Sequence, residues 1–201
     1  MLSRWIRTWY GRLLKPFLLF LASFGITPAM LTIGSLLLML VSGFVFSQNH
    51  LFIGGVFLLL GGLLDGIDGE LARMTNHATK FGAFLDSICD HLGDFALNLG
   101  LLWLYLGKRA SAEVVLIVVA LFGSVFGSLV RSRAAMVGIE TKDVGLVTRF
   151  ERILLLLLGI FTGWITVALW ILAVLNNLAA LQRILYVVRV SRLQKHESMI
   201  E

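Results

Sequence analysis

Long apolar runs separated by short polar breaks set the pattern of this chain. After Ile26-Thr27-Pro28 the sequence is apolar to about Phe46. A run of about 20 such residues crosses a hydrocarbon core of about 30 Å. Pro28 suits the first turn of a helix, and Thr27 suits its cap. After a polar break at Ser47 to His50, a second span is predicted from about Leu51 to Arg73 and a third from about Phe81 to Gly107. A fourth covers about Val114 to Val137. A polar stretch, Gly138 to Arg152, precedes a fifth that ends near Thr162 and a sixth that ends near Val190. The expected fold is therefore all-α and polytopic: one domain over residues 1–201, with six transmembrane helices between about 27 and 190. Residues 191–201 form a polar tail that is expected to fray.

The first residues read differently. In 2–21, Trp5, Ile6, Trp9, Leu13 and Leu14 can share one helical face, with Arg4, Arg7, Arg12 and Lys15 largely off it. That pattern predicts an N-terminal amphipathic helix lying in the membrane interface, in preference to a polar start of the first span. The basic residues interrupt any signal-peptide core, so a cleavable leader is not expected.

Composition agrees with the pattern: 58% of the 201 residues are hydrophobic and 14% are charged. Soluble domains carry about 25% charged residues. The net charge of +5 is distributed by side rather than by patch. All Lys and Arg except Lys108 and Arg109 fall on the face holding both termini. The positive-inside rule makes that face cytoplasmic in a cell (plasma) membrane, and it removes any reason to invoke nucleic acid. The lone cysteine, Cys89, excludes an internal disulfide and reads as a small buried apolar residue. No internal repeat is visible.

One stretch breaks the apolar logic: DGIDGELARMTNHATKFGAFLDSICD, Asp65 to Asp90. Ionisable residues at membrane depth are costly and mark function by default. Asp65 and Asp68 share a helical face, as do Asp86 and Asp90, and a hairpin of the second and third spans would let the pairs face each other. Four close carboxylates repel unless a cation intervenes. One or two Mg²⁺ or Mn²⁺ ions would serve, and such ions prefer to share their shell with a substrate phosphate or diphosphate. Gly69, Ala72 and Gly82 are small residues near the same cleft; they admit a bulky ligand or, alternatively, close helix packing. Arg73 can pair with a phosphate, or anchor the cytoplasmic end. Thr79 suits a cap of the third span and is within reach of the same ligand. Asp94, one turn past Asp90, is either an outer partner of the cluster or a lone buried acid.

The pattern Asp65-x-x-Asp68-Gly69-x-x-Ala72-Arg73, then eight residues, then Gly82-x-x-x-Asp86-x-x-x-Asp90 resembles the signature of the CDP-alcohol phosphatidyltransferases at all of its fixed positions. The resemblance implies a homodimer with a cytoplasm-facing cavity. It implies two metal ions, with Asp65 and Asp86 touching both and Asp68 and Asp90 one each. Gly69, Arg73 and Thr79 would contact the CDP moiety of a CDP-diacylglycerol-type lipid, and Asp90 would take the proton from the acceptor hydroxyl. Thr32 of TPAMLT is retained beside the CDP group, whereas Ala29 replaces the usual asparagine or aspartate.

The acceptor is read from five arginines, Arg131, Arg133, Arg149, Arg152 and Arg183, at the cytoplasmic ends of the last three spans. Together they exceed what orientation requires and indicate an anionic acceptor, a phosphorylated polyol. The stretch RSRAAMVGIETKDVGLVTRFER is similar to the corresponding region of phosphatidylinositol phosphate synthases, with Arg131 where that group has lysine and Ala135 where it has glutamate. Gln182-Arg183 fits its last span. Inositol phosphate is the implied acceptor and glycerol 3-phosphate its nearest competitor. The reading from another class is a divalent-cation transporter, which would place its acids near the bilayer midplane with access from both faces.

Overall fold

The computed structural model describes residues 16, 18–75, 78–141 and 144–197, with side chains as far as Leu193. Among the described residues there is no strand, and a short helical stretch, 18–23, precedes the bundle. The bundle consists of α1 (Pro28–Ser47), α2 (Leu51–Met74), α3 (Lys80–Gly107), α4 (Ser111–Met136), α5 (Arg149–Thr162) and α6 (Ile165–Glu197). Four of these, α1, α2, α4 and α6, are long and apolar enough to cross a membrane. The chain is a multi-pass membrane protein. At 28 residues α3 has the length, but it carries Lys80 and three aspartates. With 14 residues α5 spans only about 21 Å. The interfacial helix expected over 2–21 lies, but for its last residues, outside the described residues. The tail differs from expectation: α6 continues through the polar residues to Glu197. Arg, Leu, Gln and Lys are good helix formers, so the backbone ladder outlasts the apolar pattern.

Local chemistry sets the ends of the helices. The Thr27 hydroxyl accepts from the Met30 N–H at 3.3 Å, with Pro28 in the first turn. Thr79 Oγ1 accepts from Gly82 N at 2.9 Å and caps α3, as its position suggested. Gly163, at φ 77°, supplies the left-handed residue that ends α5.

Packing corrects one expectation. α2 and α3 are consecutive, yet among the described residues they do not pack on each other; α1 packs against both. Sequence adjacency suggested a hairpin, but α1 takes the place of the missing contact. Ser35 and Ser42 of α1 donate to the carbonyls of Gly61 and Gly54 of α2 at 2.9 and 2.8 Å. Such bonds, together with small residues, hold helices where burial from water gives no drive. Against α3, α1 comes close enough that a Cβ on Gly43 would strike the Ala96 carbonyl and one on Gly100 would strike the Gly43 carbonyl. α4 packs on α3 and α6, and α5 on α2 and α6.

The main core gathers Phe46, Leu58, Leu101, Ile117, Leu157 and Leu169. These lie toward the ends of the helices joined by the short turns after Ser47, Gly107 and Thr162, opposite the acidic end. Large apolar side chains such as Phe52, Trp103, Phe122 and Trp164 point outward. In water that would be a liability; in lipid it is the solvent-matched face. Gly100→Leu is expected to lower the unfolding temperature in detergent markedly, at a cost of at least about 1–3 kcal/mol for overpacking. Gly107→Ala, where a Cβ meets nothing within 4 Å, serves as the matched control. Equal melting temperatures for the two variants would show that the α1–α3 contact does not bear on stability.

Candidate active site

The acids converge at one end of the bundle. α2 presents Asp65 and Asp68 one turn apart, and α3 presents Asp86, Asp90 and Asp94 at successive turns. Because α1 sits against both helices, the two acidic faces look across a gap instead of packing. Carboxylate oxygens of Asp65, Asp68 and Asp86 all lie within 4.8 Å of one another. Hard oxygen donors at that spacing fit a divalent cation such as Mg²⁺ or Mn²⁺. Thr32 of α1, assigned to the nucleotide from the sequence, donates its hydroxyl to Asp68 Oδ2 at 2.6 Å and so fixes one of these carboxylates.

Asp90 joins the three through an arginine. Arg149 donates Nη1 to Asp65 Oδ1 at 2.7 Å and the same nitrogen to Asp90 Oδ1. Its Nε reaches Asp94 Oδ1 at 3.3 Å, and its Nη2 lies 3.2 Å from Met39 Sδ of α1. The side chain is only 15% exposed. One guanidinium thus binds three carboxylates from two helices, which its planar fork allows and a lysine ammonium would not reproduce. Arg152, one turn on, reaches Asp94 Oδ2 at 3.6 Å and donates to the Ser124 hydroxyl of α4. Asp94 is therefore the outer partner that couples the cluster to both arginines.

The start of α5 is what aims these arginines. Glu151 reaches back to accept from the Thr148 N–H at 2.7 Å, closing a Thr-x-x-Glu capping box. Arg149 and Arg152 then fall one turn apart, matching the spacing of Asp90 and Asp94 on α3. Cations in a first helical turn oppose the helix dipole, so the facing acids offset an otherwise unfavourable placement.

Beside the cluster lies a cavity of about 140 Å³. Asp90 and Asp94 form one wall, and Arg131, Arg149, Arg152 and Arg183 line the rest. Arg183 is held by the carbonyls of Val144 and Gly127 at 2.9 and 3.0 Å. Arg131 is 3.5 Å from the Ser128 hydroxyl, which is itself 3.0 Å from His91 Nε2. Arg133 does not join them. It is exposed, and its Nη1 lies 3.9 Å from Met136 Sδ of the same helix. On α4 it is two residues from Arg131, and that spacing turns it to the opposite side of the helix.

The remaining candidates lie at the outer lip. Arg73 pairs with Glu70 at 2.6 Å and is 53% exposed, apart from the acids. A Cβ on Gly69 would meet only Arg73 Nη2, at 3.9 Å, and one on Gly82 only Thr79 Oγ1, at 3.1 Å. Among the described residues no other helix crosses either glycine. Ala72 is half-buried between them in sequence. Cys89 is buried, as expected. Sequence reasoning missed Met39, Ser124, Ser128, His91 and Thr148. Only Thr148 had a local signal, the capping box.

Comparison with known proteins agrees with this geometry. Residues 25–188 match the family model described as CDP-alcohol phosphatidyltransferase. An archaetidylinositol phosphate synthase from Pyrococcus horikoshii is 34% identical over 164 residues, covering 82% of this chain and 85% of its own. A phosphatidylinositol phosphate synthase from Mycobacteroides abscessus is 34% identical, covering 92% of this chain and 87% of its own. The crystal structure of Mycobacterium tuberculosis phosphatidylinositol phosphate synthase with CDP-DAG bound superposes with a TM-score of 0.79 at 29% identity, over 88% of this chain and 94% of that one. A second crystal structure of the same enzyme, in complex with manganese and citrate, gives a TM-score of 0.78 at 30% identity, over 86% and 87%. With its acid cluster, its arginine-lined cavity and a family match over most of its length, the chain belongs to the CDP-alcohol phosphatidyltransferases.

Proposed function

We propose that this protein transfers a phosphatidyl, or related diradyl-phosphate, group from a CDP-linked lipid to a hydroxyl of a phosphorylated polyol, inositol phosphate, with release of CMP. The observation that carries this reading is the shared cavity. Asp90, beside the acid cluster, faces three arginines, Arg131, Arg152 and Arg183, across a space of the size of a small polar molecule. The names of the relatives support inositol phosphate over glycerol 3-phosphate.

The roles follow from placement. Asp65, Asp68 and Asp86 would hold a divalent ion, with Asp90 completing a two-ion site; bound there, Mg²⁺ or Mn²⁺ would neutralise the diphosphate and the departing CMP. Thr32 keeps Asp68 oriented. Gly69, Ala72, Arg73, Thr79 and Gly82 border the CDP moiety, with Arg73 free to leave Glu70 for a phosphate. Arg131, Arg152 and Arg183 receive the acceptor's phosphate, and Arg133 has no part in it. Arg149 holds Asp65 and Asp90 at a fixed separation. The acceptor hydroxyl oxygen attacks the phosphorus that bears the lipid, that P–O bond forms, and the bond to CMP breaks. Asp90 accepts the hydroxyl proton as the bond forms, since a carboxylate is too weak a base to make a free alkoxide first. The rest is positioning of charged groups, as in other phosphoryl transfers.

In the membrane, all six helices cross as a single domain. The acidic end and both termini lie on the cytoplasmic side of the plasma membrane, where nearly all the basic residues are. The working form is a homodimer.

Purified protein given CDP-diacylglycerol, inositol phosphate and Mg²⁺ is expected to release CMP, and to stop when the metal is chelated. Glycerol 3-phosphate is expected to support a slower rate. Absence of metal-dependent CMP with every acceptor would reject the enzyme reading. Asp90→Asn is expected to lower turnover by about 10²–10⁴-fold while CDP-lipid affinity stays within a few-fold. Wild-type turnover in that variant would remove Asp90 from the proton transfer.

A further inference from the structure

The arginine-lined cavity has a second polar wall. Ser87 and His91 of α3 both line it. Each stands one residue past an acid, Asp86 or Asp90, which places it about 100° round the helix from that acid. At this level α3 therefore carries two stripes: the carboxylates and, beside them, a hydroxyl and an imidazole one turn apart. Both side chains are exposed, so a molecule in the cavity can reach them.

The other neutral polar side chains around the cavity are engaged. Ser124 receives Arg152. Thr148 closes the capping box of α5. The Asn176 amide donates to the Ala120 carbonyl at 2.9 Å, and its oxygen is sealed off. Ser128 is buried between Arg131, at 3.5 Å, and His91 Nε2, at 3.0 Å. An arginine can only donate, so the Ser128 oxygen accepts from Arg131 and its own proton turns to His91. Nε2 is then the accepting nitrogen, and the ring carries its N–H at Nδ1. Among the described residues neither that Nδ1 nor the Ser87 hydroxyl has a hydrogen-bond partner.

We infer that His91 and Ser87 are specificity-determining residues that read hydroxyls of the acceptor polyol. This rests on the proposed function, because Arg131, Arg152 and Arg183 are taken to hold the acceptor's phosphate in the same cavity. A guanidinium suits a phosphate, whereas a hydroxyl is matched by groups that donate or accept a single bond. Side chains four apart on a helix stand about 5–6 Å from each other at Cβ, a span that neighbouring hydroxyls of one polyol can bridge. His91 Nδ1–H donates to one non-reacting hydroxyl oxygen, and the Ser87 hydroxyl bonds to another. Ser128 holds the imidazole in the orientation that allows this.

Two acceptors separate hydroxyl reading from the grip on phosphate. Inositol phosphate carries more non-reacting hydroxyls than glycerol 3-phosphate, and both carry the phosphate. kcat/KM is measured for each in the wild-type protein, in His91→Ala and in Ser87→Ala. The ratio of inositol phosphate to glycerol 3-phosphate is expected to fall about tenfold in His91→Ala and about threefold in Ser87→Ala. His91→Gln, whose amide N–H replaces the donor, is expected to recover part of the ratio. Ser87→Ala, a near-isosteric change, decides the matter if His91→Ala does not fold. A purely structural role would lower both acceptors by the same factor, and an unchanged ratio overturns the inference while leaving the transferase reading intact. CMP release with glycerol 3-phosphate alone, or with neither acceptor, in the wild type would overturn the proposed function, and this inference with it.

Discussion

Five carboxylates at one end of an apolar bundle need positive charge within a few ångströms, and the rest of the structure is arranged to supply it. Arg149 does so directly, bonding Asp65, Asp90 and Asp94 at once. Arg152 adds a second contact to Asp94. Asp68 accepts from the Thr32 hydroxyl and, among the described residues, has no basic partner, and Asp86 lies close to both Asp65 and Asp68. Those three acids are the ones whose oxygens cluster, and they are the ones that a metal ion would serve. The division is physical: the side of the acid group facing α5 is neutralised by protein, and the side facing α1 and α2 is left to a hard cation.

The fold makes that division possible by keeping α2 and α3 apart. If they packed as a hairpin, the carboxylates would be pressed together with no room for a ligand. With α1 bonded to α2 through serines and in close contact with α3 through Gly43 and Gly100, the two acidic helices are braced at a fixed gap. The apolar core lies at the opposite end, and the arginines around the cavity offset negative charge at the acidic end.

Much of this was legible in the residues. The spacing of Asp65, Asp68, Asp86 and Asp90 carries the acid cluster, because helical period fixes which side chains share a face. Thr27, Pro28 and Thr79 carry helix starts, because capping is local. What periodicity does not carry is which helix packs on which. The expected hairpin was an inference from sequence order, and the α1 contact that replaces it depends on Gly43 and Gly100, whose smallness has meaning only once paired. Thr32 illustrates the same limit: the family resemblance set it beside the nucleotide, but its partner, Asp68, was not readable. Arg149 was grouped with the acceptor arginines by charge alone, whereas its bonds tie it to the acids; the match between its one-turn offset from Arg152 and the stripe of Asp90 and Asp94 is visible in sequence but points to no partner there. Arg133 could have been set apart from Arg131, since two residues along a helix face opposite ways.

The central claim is that the oxygens of Asp65, Asp68 and Asp86 form a divalent-cation site. Electron paramagnetic resonance of Mn²⁺ titrated into the purified protein in lipid nanodiscs measures it without reference to turnover. Saturable binding in the wild-type protein, weakened at least about tenfold by Asp65→Asn or Asp86→Asn and little changed by Arg133→Ala, is the result the account requires. Mn²⁺ binding of equal strength in all four proteins would contradict it.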